Sequence, residues 1–135
     1  MKYRFLEALN DFLSAYGRDD LINSQLDCHS TIQLDLESCP PINIDLATND
    51  IIIWSNIADY NPSYVEAVSA SLLNQLITYS PRYFMAGQPA LNVVDSTLVL
   101  SAVMKEEALT YQPMFAGMLE EFYERCNQLR TLFSV

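Results

Sequence analysis

Three adjacent residues, Asp27, Cys28 and His29, are of the types that make up a cysteine nucleophile with its base and orienting carboxylate. Their spacing opposes that chemistry. Neighbours on a strand point to opposite faces, so thiol, imidazole and carboxylate do not meet in the required order. The three read more simply as the start of a strand with a partly buried cysteine. A metal centre needs three or four converging ligands, and the chain has 1 His and 3 scattered cysteines (Cys28, Cys39, Cys126) without a C-x-x-C pair. Its 3 glycines form no phosphate-cradling loop, so nucleotide binding lacks its motif. Glu106-Glu107 and Glu120-Glu121 resemble paired carboxylates for acid–base work, but nothing places them in a cleft, and solvated surface charge accounts for them. Tyr and Asp residues have no spacing that assigns them roles in an assembled site. Catalytic residues, metal ligands and cofactors are all expected to be absent, and the role left is binding.

Composition narrows that role. In 135 residues, 7 Lys and Arg face 17 Asp and Glu, a formal net charge of −10. Only 18% of residues are charged, below the usual ~25%, so nearly all the charge is of one sign. Neutralising nucleic-acid phosphates needs clustered cations, and Lys2, Arg4, Arg18, Arg82, Lys105, Arg125 and Arg130 are scattered. An anionic membrane surface repels the chain for the same reason. The longest clearly apolar run, Ile51 to Trp54, is far short of the ~20 residues of a membrane span. Glu7 and Asp11 interrupt what would be the apolar part of a signal peptide. An odd number of cysteines suits reduced thiols, so a cytoplasmic location and protein partners are expected.

The elements that position these residues follow from hydrophobic period. Lys2 to Tyr16 sets Phe5, Leu9, Phe12 and Tyr16 on one helical face, widened by Leu6 and Leu13, and Gly17 ends it. From His29 to Ile57 the period is two. Ile32, Leu34 and Leu36 alternate with polar residues, Cys39-Pro40-Pro41 is expected to break the ladder, and Ile42, Ile44 and Leu46 alternate again. Thr48-Asn49-Asp50 reads as a turn into a third strand, Ile51 to Ile57, giving an antiparallel meander. Asn61 caps a helix opened by Pro62 and running to about Tyr79, with Val65, Val68, Leu72, Leu73, Leu76 and Ile77 as its apolar residues. Two strands follow, Ala90 to Val94 and Leu98 to Met104, turning at Asp95-Ser96. Lys105 to Ala108 is a polar connection, and Pro113 opens a last helix. There Phe115, Met118, Leu119, Phe122, Cys126, Leu129 and Phe133 face inward, with Met114 also assigned to packing, while Glu120, Glu121 and Glu124 face outward. The expected fold is a single α+β domain over residues 1–135, an antiparallel sheet flanked by helices in the order α-β-β-β-α-β-β-α.

One stretch is more specific. Asp27-Cys28-His29-Ser30-Thr31-Ile32-Gln33-Leu34-Asp35-Leu36, then Pro41-Ile42-Asn43-Ile44, then Asn49-Asp50-Ile51-Ile52-Ile53-Trp54, resembles the first three strands of one family. These are the type III secretion chaperones of the surface-presentation-of-antigens K / invasion protein B group, often called class IB. The close match spans Asp27 to Trp54; the remainder agrees in length, acidity and order of elements. The resemblance implies a small homodimeric cytoplasmic chaperone of a Gram-negative bacterium, without enzymatic activity or cofactor. It further implies that the N-terminal region of a secreted effector wraps around the dimer in extended form. As partners it implies several effectors and the ATPase of the export apparatus, to which effectors are guided.

The residues support such a role independently. Apolar grooves anchor a non-native segment's side chains, strand addition at a sheet edge satisfies its backbone, and net negative charge keeps the binder soluble. Leu9, Phe12 and Leu13 of the first helix, with Ile32, Leu34, Leu36, Ile42 and Ile44 of the first strands, are the candidate effector-binding residues; the plainer alternative is that they pack helix on sheet. The dimer is expected to use the charge-poor second helix, through Leu72 and Leu76, and the strand Leu98 to Met104, through Val99, Leu100 and Val103. Val99, Leu100, Ala102, Val103 and Met104 occupy both faces of that strand, so both should be covered. A small regulatory adaptor binding a folded transcriptional or secretion regulator is the competing reading. It differs in whether the bound segment is extended or already folded.

Overall fold

The computed structural model describes residues 2–15, 17, 31–36, 39–46, 48–110 and 112–134. The Asp27-Cys28-His29 strand start and Ser30 therefore lie outside the described residues.

Helix α1 (Lys2–Ala15) buries Phe5, Leu9 and Leu13, spaced four apart, with Leu6, Ala8 and Phe12 packed beside them. It ends where Gly17 takes φ 70° and its N–H bonds the Ser14 carbonyl at 3.1 Å, a left-handed position that suits a residue without Cβ. Strands β1 (Thr31–Leu36), β2 (Cys39–Asp45) and β3 (Ile52–Asp59) form the expected antiparallel meander, with Ile44 opposite both Ile32 and Ile53. The ladder breaks as expected at Cys39-Pro40-Pro41, where the register of β1 against β2 shifts between the Leu34–Ile42 and Leu36–Cys39 pairs, although β2 continues as one strand through both prolines. Pairing of β2 with β3 begins only at Asn43 and Trp54, so no ladder donor towards β3 is required of the prolines.

Asn61 caps α2 (Pro62–Ala67) as expected: its side-chain oxygen accepts the N–H groups of Ser63 at 3.0 Å and Tyr64 at 3.3 Å. The single helix expected from Pro62 to Tyr79 bends at Val68 (φ −105°, ψ 9°) and continues as α3 (Ser69–Thr78). Strands β4 (Ala90–Val94) and β5 (Thr97–Val103) turn at Asp95 and Ser96, whose φ values of 48° and 63° fit a two-residue hairpin with the native twist. The polar connection holds a 3-10 turn, Glu106–Leu109, before α4 (Gln112–Phe133).

The two groups of strands are one five-stranded sheet in the order β1-β2-β3-β5-β4, with β5 joining the hairpin to the meander. The core lies between this sheet and the helices. Phe115 of α4 makes edge contacts with Phe5 and Phe12 of α1, ring centroids 5.5 and 5.7 Å apart, and Phe84 meets Phe122 at 6.0 Å. Ile44, Leu46, Ile51, Ile53 and Leu100 meet them fully buried from the sheet. Tyr64, Val65, Val68 and Leu72 of the α2–α3 segment add a partly buried margin.

Candidate partner-binding surface

Alternation along the strands sends the other half of their side chains to a second, outer face. Its rows follow from register: Asn43, Trp54, Ser101 and Ala90 lie across four strands, and Asn56, Val99 and Asn92 across three. Trp54, Asn56, Val99 and Ser101, with Asn92 and Val94, line a concavity of about 470 Å³ that Asp95 and Thr97 bound at the hairpin end. Val99 is only 9% exposed, yet of the buried apolar side chains among the described residues it alone lies outside the core cluster. On β4, Val93 and Val94 are 48% and 52% exposed.

Two more features are open to a partner. Neither α2 nor α3 buries a residue completely, and α3 exposes Leu73 (59%) and Ile77 (70%). Strands β1 and β4 are the sheet edges, each with one row of backbone groups outside the ladder. A concavity of tryptophan, valine, amide and hydroxyl groups recognises by shape, apolar contact and hydrogen bonding. Among the described residues no group of three His, Cys, Asp or Glu is placed to hold a metal, and no helix is long and apolar enough to cross a membrane.

Charge is organised elsewhere, where α3 meets α4. The buried Arg125 donates through Nη2 to the Gln75 carbonyl at 2.6 Å, and its guanidinium carbon stands 4.5 Å from the Tyr79 ring centre. The Tyr79 hydroxyl donates to Glu121 Oε1. Burial, reinforced by that hydrogen bond and the carboxylate's charge, pushes the Tyr79 phenol well above the ordinary tyrosine range, and burial lowers the Arg125 pKa. Glu121 was expected on the outer side of α4; it is half-buried instead, because Tyr79 arrives from a different element to bond it. One helix considered alone does not reveal such a partner. The only trace in the chain is the spacing of Glu121 and Arg125, one turn apart in a sequence poor in cations.

Residues 17–95 match the invasion protein B family. The chain belongs to that family. It is 26% identical over 117 residues to the surface presentation of antigens protein SpaK of Salmonella typhimurium and, equally, of Salmonella typhi, covering 87% of this chain and 86% of each relative. Its fold is similar to that of a chain in the heterodimeric ExoU–SpcU complex from the type III secretion system of Pseudomonas aeruginosa. There the TM-score is 0.61 at 19% identity, over 92% of this chain and 96% of that one. YbjN of E. coli is also similar in fold, with a TM-score of 0.55 and 20% identity over 93% and 87% of the two chains. The family expected from the strand motif and the α+β antiparallel fold are thus both shown.

Within this family fold the expected site residues separate. Leu9, Leu13, Ile32, Ile42 and Ile44 lie in the interior, 0 to 9% exposed, where they hold helix to sheet. Phe12 and Leu34 are partly buried at the margin of the core. Leu36 belongs to β1, and its side chain lies outside the described residues. Of the expected dimer residues, Val99 and Val103 fall on the outer face and Leu76 on the open side of α3 at 37% exposure. Leu72 packs against the core margin and Leu100 points fully inward, because alternation puts it on the opposite face from Val99.

Proposed function

We propose that this chain is a type III secretion chaperone. It acts as a cytoplasmic homodimer in a Gram-negative bacterium, binds the N-terminal region of one or more secreted effectors in extended form, keeps them secretion-competent and guides them to the export apparatus and its ATPase. It breaks and makes no bonds in its cargo. The observation that carries the reading is an outer sheet face in a member of the invasion protein B family, where Trp54, Val94 and Val99 stand among amide and hydroxyl groups with no layer over them among the described residues. The ExoU–SpcU complex supports it as a heterodimer within a type III secretion system built with a chain of this fold.

A second copy seated on the outer face would cover Val94, Val99, Val103 and Trp54, and α3 would contribute Leu73, Leu76 and Ile77. The effector segment would run along the β1 side, adding its backbone to the free edge and its apolar side chains beside Phe12 and Leu34. In this arrangement Leu9, Leu13, Ile32, Ile42 and Ile44 form the floor that holds those contacts in place. Net charge of −10 keeps a protein with these apolar surfaces soluble.

Co-purification from the host bacterium, followed by limited proteolysis, tests the reading. The expected result is a co-purifying secreted protein whose N-terminal segment resists protease only in the complex. A partner that is folded before binding would favour the regulatory adaptor, and a catalysed reaction would overturn the binding role.

A further inference from the structure

Helices α2 and α3 run as one bent rod from Pro62 to Thr78, yet no residue of either is fully buried. Besides Leu72 against the core, a polar seam fastens α3. Gln75 and Tyr79 lie one turn apart, as do Glu121 and Arg125 on α4, and the two pairs meet antiparallel: Gln75 with Arg125, Tyr79 with Glu121. The Gln75 carbonyl belongs to the last turn of α3, where carbonyls lack intrahelical donors, so Arg125 caps that helix from outside. Two acceptors of the same seam, Gln75 Oε1 and Glu121 Oε2, are buried without a hydrogen-bond partner among the described residues. An acceptor closed off in this way favours any state in which water reaches it. At the other end, α2 is held by the Tyr64 ring, 6.5 Å from that of Phe133, and by a 3.4 Å hydrogen bond from its hydroxyl to the Ser134 carbonyl.

We propose that α2 and α3 form an arm that opens from α4 as one unit, with Arg125 as its latch, while the sheet and the α1–α4 layer stay folded. Few buried apolar groups and a directional polar seam are the features of a segment that opens locally. Opening hydrates both unpaired acceptors and uncovers Val65 and Leu72 beside Leu73 and Ile77, so the open arm presents a wider apolar face. The latch lies on the α4 side of α3, away from those exposed residues, and acts whether or not a second copy covers them.

Amide hydrogen exchange on the full chain tests this, comparing wild type, Arg125→Met and Tyr79→Phe at one concentration and with matched mass by light scattering. In Arg125→Met, amides of residues 63–78, in α2 and α3 alike, are expected to exchange about tenfold or more faster, the loss expected for a hydrogen bond from a charged group. Rates in β3, β5 and the first half of α4 should stay at wild-type values. Tyr79→Phe should give a smaller rise confined to the same residues, and it decides by the same criterion if Arg125→Met does not fold. No rise in residues 63–78, a rise in α3 without α2, or an equal rise in β3 and β5 would overturn the proposal.

Discussion

Arg130, near the end of α4, donates through Nη2 to the hydroxyl of Ser55 at 2.7 Å, and Ser55 in turn donates to the carbonyl of Pro41 at 2.8 Å. The same guanidinium reaches the Asn56 carbonyl from Nη2 at 2.9 Å and from Nε at 3.2 Å. Asn56 stands where the register of β3 against β5 shifts, and such an irregularity leaves a backbone group without its ladder partner. One cation therefore ties α4 to β3 and, through a fully buried serine, to β2. This tie joins the helical layer to the middle of the sheet, between β1 and the β4–β5 hairpin.

Removing the tie should loosen the fold without touching either candidate partner surface. Arg130→Met is expected to cost about 2–3 kcal/mol and Ser55→Ala about 1 kcal/mol in urea unfolding. The two share partners, so the double variant should cost less than the sum of the singles.

The Tyr79 phenol holds its proton more tightly in the folded chain than in the unfolded one. Its contribution to stability is complete below the ordinary tyrosine pKa of ~10 and declines as pH rises above it towards the raised folded value. Stability measured by denaturant from pH 8 to 11 should fall above pH 10 in wild type. Tyr79→Phe should fall less steeply over the same interval.

Groove and core residues should respond differently to charge. Leu9→Asp and Ile44→Asp place a carboxylate in the interior and should leave the chain unfolded by circular dichroism. Phe12→Asp and Leu34→Asp lie at the core margin and should retain the fold, with loss of effector binding in a pull-down. Phe122→Ala, deep in the core and remote from any partner, should cost about 3–5 kcal/mol.

Self-association is tested by Val94→Asp, since that side chain is 52% exposed in the single chain and its replacement leaves the core intact. Wild type should scatter light as twice 15.3 kDa at micromolar concentration, and the variant as 15.3 kDa. Trp54 fluorescence should shift to the red in the variant as the outer face becomes wet.

The alternation of Ile32, Leu34, Ile42 and Ile44, the Asn61-Pro62 helix start and the Asp95-Ser96 turn were all legible, because each depends on local backbone and side-chain period. So was the break in the β1–β2 ladder at Pro40 and Pro41, which have no N–H to give; that β2 continues as one strand across it was not, since a proline's cost depends on which neighbouring strand requires its N–H. Alternation also says which side of a strand is apolar without saying whose atoms cover it. Leu100 and Val99 look alike in the chain, but one lies fully inside and the other faces outward. Tyr79 and Glu121 are 42 residues apart, and only the meeting of α3 with α4 joins them.

The proposed role is to hold another protein's N-terminal segment in extended form. Backbone chemical shifts of an isotope-labelled effector N-terminal segment, recorded with and without the unlabelled protein, test it most directly. The expected result is a continuous stretch that moves from unfolded to strand-like shifts on binding. An unchanged spectrum with every candidate effector of the host, or a segment already folded before the protein is added, would contradict it.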